Sequence, residues 1–152
     1  MKALSLWQPW ASLWACGRKT YETRDWSTSY RGQLLVHAAK RLILDVSDEL
    51  REILEDECGG HWMRDLPAGA LIAQCELADC LPTEHVHVDA DERAQGNFTR
   101  GRYAWSPMNM RPLDRPIPWR GQMGLFNVDI LDLALADLLE EPAAPSPQGR
   151  LL

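Results

Sequence analysis

The chain has 152 residues, 45 % of them hydrophobic, and a formal net charge of −6. That length and apolar content suit one compact domain with a real core, and no apolar run reaches the roughly 18 residues of a membrane-spanning helix. The opening MKALSLWQPW lacks the apolar h-region and small-residue cleavage site of a secretory signal, so a soluble cytoplasmic protein is expected.

In chain order, residues 2–6 alternate and predict a short strand. Pro9 suits the first helical position and Gly17 a C′ stop, with Trp10, Leu13 and Trp14 on one helical face between them. Residues 20–26 predict a strand with Thr20, Glu22, Arg24 and Trp26 on one side. After the turn STSYRG, residues 33–39 predict a buried strand. Residues 48–58 predict an amphipathic helix, with Leu50, Ile53 and Leu54 inward and acids outward, ended by Gly59 and Gly60. Residues 69–81 predict a long strand with Leu71, Ala73, Cys75 and Leu77 on its apolar face. Residues 82–102 show no usable periodicity and predict a long loop, with room for a helical turn. A strand over 102–113, interrupted near Pro107, a closing strand over 124–131 and a weak helix over 133–140 follow. The Pro/Ala/Ser-rich residues 141–152 predict a disordered tail behind a single domain of residues 1–140. About six strands with two or three helices indicate an α+β fold with a small mixed or barrel-like sheet.

Charge is segregated along the chain. Residues 1–43 and 93–121 each carry +5, residues 44–92 carry −12 and residues 122–152 carry −4. A fold that joins the two basic segments makes one face attractive to polyanions; the plainer alternative is two ordinary mixed surfaces. The four cysteines form no C-x-x-C pair and are expected to be buried thiols. Cys58-x-x-His61 and His85-x-His87 are fragments of a zinc ligand set, so no metal or cofactor is expected.

Three groupings carry chemistry. In GRKTYETRDW, Lys19, Glu22 and Arg24 put two cations beside a carboxylate, which favours the charged forms. Such a trio can read a base edge and hold a phosphate, or polarise an amide and manage protons, or be a surface ion-pair cluster of little energetic weight. Among seven tryptophans, Trp10 and Trp14 fit the core, while Trp7 and Trp26 flank the charged strand and can stack on bases. In GNFTRGRYAW, Arg100 and Arg102 sit on a flexible basic loop that can fold over a phosphate or be a plain hairpin loop. No P-loop, G-x-G-x-x-G, H-E-x-x-H or G-x-S-x-G is present, and Ser, His and Asp fall in no spacing that indicates a triad.

Taken together, Q-P-W-A-S at 8–12, G-x-K-x-x-E-x-R at 17–24, Trp26, Arg31-Gly32 and H-A-A-K at 37–40 resemble the opening of an ASCH domain, a family of the PUA-like superfamily. GALIAQCELADC resembles that family's central strand, and GRYAW with PIPWRGQMGLFNV its closing segment, so the resemblance spans residues 2–131. It implies a small β-barrel with flanking helices, and a cleft between barrel and first helix that binds RNA or a modified nucleotide. By motif match the cleft residues are Lys19, Glu22 and Arg24, with Trp7, Gln8 and Trp26 as neighbours; Arg100 and Arg102, on the basic loop, are expected to close the site. In this reading Lys19 meets a phosphate or carbonyl, Glu22 accepts from a base amine, Arg24 orients Glu22 or reaches a phosphate, and Trp7 or Trp26 stacks. Some relatives are amidohydrolases of acetylated cytidine, with a Lys and a Thr three positions apart and a distant Glu. Lys19 matches that Lys, but Glu22 stands in the place of the Thr, and Glu84 and Glu92 lie only in the general region of the Glu. The rival reading is therefore an amidohydrolase of an acylated cytidine-type nucleoside with Glu22 as base and Lys19 as electrophile. A third is a protein-interaction module using the acidic helix at 48–58.

Overall fold

β1 (Lys2–Gln8) is built on a two-residue alternation. Leu4 and Leu6 enter one core with Leu34, Val36, Ala38, Cys75, Leu77, Trp14 and Trp105; Ala3 enters another with Leu35, Leu71, Ile117 and Phe126. The intervening residues of β1 on the Ala3 side, Ser5 and Trp7, are left to line a cleft. β1 pairs in parallel with β3 (Gly32–Leu42), Ser5 opposite His37. β3 continues antiparallel to β4 (Ala70–Pro82), and β4 to β5 (Tyr103–Pro118). The short β2 (Glu22–Arg24) and β6 (Leu125–Asn127) end the sheet, giving the order β2-β5-β4-β3-β1-β6. The structure, a computed structural model, describes residues 1–139; the expected tail at 141–152 and the end of the expected last helix, Glu140, lie outside the described residues.

α1 (Trp10–Ala15) plugs the first core with Trp14, which is fully buried. Pro9 stands at its N-cap rather than its first turn, and Gly17, at φ +81°, takes the left-handed conformation that ends it. α2 (Asp48–Cys58) has the expected bounds: Ser47 caps it by accepting from the Leu50 amide at 3.1 Å, and Leu50, Ile53 and Leu54 are buried against Leu13 and Trp62. The latter belongs to the short α3 (Trp62–Asp65). α5 (Ile130–Leu139) follows β6. None of these helices is long and apolar enough to cross a membrane.

Several expectations are corrected. The sheet is not closed into a barrel: the end strands β2 and β6 are three residues each and do not pair with one another. A side chain spans part of that gap instead, as Arg24 Nη2 of β2 donates to the Ser5 carbonyl of β1 at 2.7 Å, just past Leu4, where β6 stops pairing. The expected seven-residue strand at 20–26 shrinks to β2 because the amides of Thr20 and Tyr21 go to the Glu92 carboxylate, not to a ladder. That carboxylate belongs to α4 (Ala90–Ala94), which with a 3₁₀ turn at Thr83–His85 puts two short helical turns in the stretch expected to be a long loop with room for one. β5 runs unbroken through Pro107, whose missing N–H falls beside a register shift of β4 at Leu77/Asp79. Of the four thiols only Cys75 is buried; Cys16 is exposed and Cys58 and Cys80 are intermediate. Partial burial still pushes the Cys58 thiol up to about 11, and Cys75 stands at about 12.

Candidate functional site

A cleft of about 1270 Å³ opens where β1, β2, the end of β3 and the segment 118–124 meet. Among the described residues its lining holds three tryptophans (Trp7, Trp26, Trp119), three cations (Arg24, Lys40, Arg120) and no carboxylate. In a chain of net charge −6 that is a local reversal of sign. Trp7 is half exposed at the rim, with the Arg41 guanidinium carbon 4.2 Å from the centre of its ring. Trp26 packs edge-on against Trp105 with ring centres 4.7 Å apart. Lys40 lays its stem over Gly69, where a Cβ would come within 3.1 Å of the lysine carbons. Gly69, at φ +64°, therefore meets both a conformational and a spatial requirement.

Behind Arg24 lies a buried ion network. Glu22 bridges two cations, with Oε2 at 3.1 Å from Lys19 Nζ and Oε1 at 3.2 Å from Arg24 Nε. Lys19 is 2 % exposed and also donates to the Tyr21 carbonyl. The network is one unit in which Lys19 neutralises Glu22, and Glu22 in turn fixes the guanidinium that faces the cleft. Glu92, itself buried, holds the approach to β2 by accepting from the Thr20 amide at 2.9 and 2.8 Å and the Tyr21 amide at 2.8 Å.

Of the residues singled out by sequence, the structure thus brings Trp7, Arg24 and Trp26 to the cleft wall and sets Lys19 and Glu22 behind it. Gln8 is buried, its amide nitrogen donating to Ser12 Oγ at 2.7 Å and to the Pro67 carbonyl at 2.9 Å, so it ties α1 to the chain before β4. Arg102 spends its donors on the Asn97 carbonyl at 3.1 Å and the Thr23 carbonyl at 3.2 Å, and neither it nor Arg100 lines the cleft. Glu84 is exposed and accepts from the Gly101 amide at 2.6 Å, a bond that holds its carboxyl below the usual range. No residue of α1 lines the cleft, which corrects its expected place between the sheet and the first helix.

Sequence reasoning passed over Ser5, His37, Lys40, Trp119 and Arg120 as site residues. His37 bonds on both sides: Nδ1 lies 2.8 Å from Ser5 Oγ, and Nε2 lies 2.8 Å from the Trp119 carbonyl oxygen. Burial holds its imidazole below the ordinary value, partly offset by the Trp119 carbonyl. The signals were present, since H-A-A-K at 37–40 and P-W-R-G-Q at 118–122 belong to the blocks that carried the resemblance. Alternation alone cannot tell a polar residue beside a cleft from one facing bulk water.

A family model described as the ASCH domain matches residues 4–116. Among curated proteins, the chain is similar to activating signal cointegrator 1 of Homo sapiens and of Mus musculus, 38 % identical over 81 residues in each case. That match takes in 51 % of this chain and 14 % of each relative, so the chain spans a small part of their length. Among solved structures, it is similar to the crystal structure of ASCH from Zymomonas mobilis, with a TM-score of 0.54 and 15 % identity, over 90 % of this chain and 94 % of that one. A mutant of the Zymomonas mobilis protein gives the same TM-score at 13 % identity, over 91 % and 96 % of the two chains. These structural likenesses concern the fold.

Proposed function

The chain belongs to the ASCH domain family, and from that premise we propose that its cationic cleft binds RNA or a nucleotide-like ligand. The observation that carries this reading is the lining itself: three tryptophans and three cations, with no carboxylate among the described residues that line it. Aromatic faces stack on bases without regard to sequence, and cations take the phosphates. Lys40 and Arg120 supply phosphate contacts, Trp7 and Trp26 supply stacking, and Arg24 supplies a guanidinium held rigid by Glu22. A carboxylate near the phosphates would repel them, and Glu22, bonded to Arg24 behind the cleft wall, is neutralised from both sides. The deacylating alternative through Lys19 and Glu22 lacks support, because those two groups bond each other behind Arg24.

Titration of a 5′-fluorescein oligoribonucleotide tests this. About three neutralised phosphates give a slope of roughly −2 in log affinity against log salt, or about a 15-fold loss between 50 and 200 mM salt. Trp7→Ala should cost about 1–3 kcal/mol of binding, and Arg100→Ala nothing measurable. Absence of binding at 50 mM salt to RNA and to mononucleotides overturns the reading.

A further inference from the structure

Ser5 and His37 face each other across the parallel pair β1 and β3, and both line the cleft. The Trp119 carbonyl can only accept, so His37 Nε2 carries the ring proton and donates to it across 2.8 Å. Nδ1 is then bare, and the Ser5 hydroxyl 2.8 Å away donates to it. A hydroxyl whose proton the bare ring nitrogen can take, and a carbonyl that fixes the ring's tautomer, thus stand within hydrogen-bond reach of opposite sides of one imidazole. Burial keeps this imidazole neutral around pH 7, as a base must be before it acts. Arg24, bonded to the backbone carbonyl of Ser5 at 2.7 Å, brings a permanent cation to the same cleft that the Ser5 hydroxyl lines. At Gly121 an added Cβ would meet His37 Cε1 at 2.7 Å and Ser5 Oγ at 3.1 Å, so a larger residue there would push the pair apart.

We propose that Ser5 and His37 are a nucleophile–base dyad that hydrolyses a carboxylic ester bearing an aromatic ring and an anionic group. The Ser5 oxygen attacks the ester carbonyl carbon as its proton passes to His37 Nδ1. The new imidazolium is steadied by the Trp119 carbonyl, and the carbonyl oxygen, now an oxyanion, by Arg24. Collapse breaks the bond to the alcohol, which leaves with the proton from Nδ1. Water then attacks the acyl-serine, gives a proton to Nδ1, and the acid departs as Ser5 regains its hydrogen. The ring-and-anion class of substrate rests on the ligand reading above, with Lys40 and Arg120 for the anion; the dyad does not.

The test is labelling of the whole protein with a fluorophosphonate, in which Ser5 Oγ forms a P–O bond and fluoride leaves with the serine proton. One phosphonyl group on Ser5, located by fragment ions, is expected. Ser5→Ala should abolish it, and His37→Gln, which can keep a hydrogen bond on each side without titrating, should slow it about 100-fold or more. The labelling rate should be flat above pH 7 and fall as His37 becomes protonated; the charged groups that share its cleft are Arg24, Lys40 and Arg120. No adduct on protein shown folded by thermal melt, or an equal rate in His37→Gln, overturns the dyad and leaves a structural tie between strands. In a second arm, 4-acetoxyphenyl phosphate should be cleaved with at least a tenfold higher kcat/KM than phenyl acetate; equal values overturn the substrate class. Labelled Ser5 in a protein that binds no RNA strikes the proposed function and not the dyad.

Discussion

At the scale of single residues, Lys19 carries a large structural responsibility. It lies 2 % exposed against a carboxylate at 3.1 Å, so its removal leaves Glu22 buried with one cation instead of two. Breaking such a pair costs more than replacing it whole. Lys19→Met should therefore destabilise by about 3 kcal/mol in urea denaturation, and the double variant Lys19→Met/Glu22→Leu should recover part of that loss. A cost below about 1 kcal/mol would place the pair among ordinary surface ion pairs. The composition of the motif was legible in the sequence, but the depth of each member was not. A two-residue period puts Glu22 and Arg24 on one side; it does not say that Arg24 reaches the cleft while Glu22 stays behind it. Ser5 and His37 were harder still to see, because 32 residues separate them and only the parallel register joins them.

At the scale of elements, local patterns read well where one element satisfies itself. α2 has the bounds its apolar stripe and flanking glycines predict. β2 does not, because its length is decided by a partner 71 and 72 residues from the amides it takes: Glu92 of α4 accepts from Tyr21 and Thr20, which alternation assigns to a ladder. No periodicity within residues 20–26 records that. The clamp has a measurable weight, since hydrogen bonds to a charged acceptor contribute about 1.5–3 kcal/mol each to stability. Glu92→Gln keeps the shape and one acceptor oxygen but loses the charge, and should cost about 2 kcal/mol in urea denaturation. If the clamp positions the site, RNA affinity should weaken in the same variant, because Thr20 and Tyr21 lead directly into Glu22 and Arg24; unchanged stability would show that the carboxylate is replaceable by solvent.

At the scale of the molecule, one titration links the cleft to folding. His37 has a folded-state pKa below the ordinary 6.5, so the unfolded chain binds the proton more readily. The stability this provides is complete above pH 6.5 and is lost as pH falls through the lowered folded value. The drop in Tm between pH 7 and 5 should accordingly be smaller in His37→Gln than in the native protein; parallel curves would mean that His37 makes no such contribution. The division of labour along β1 and β3 reaches further. Leu4, Leu6, Val36 and Ala38 belong to the core, while the residues between them, Ser5, Trp7, His37 and Ala39, belong to the cleft. Over this stretch the first core and the cleft are thus written on alternate letters of the same two words. Drift can rewrite what the cleft accepts at four positions while the core sequence stays intact, whereas a one-residue slip between the strands would corrupt both texts at once.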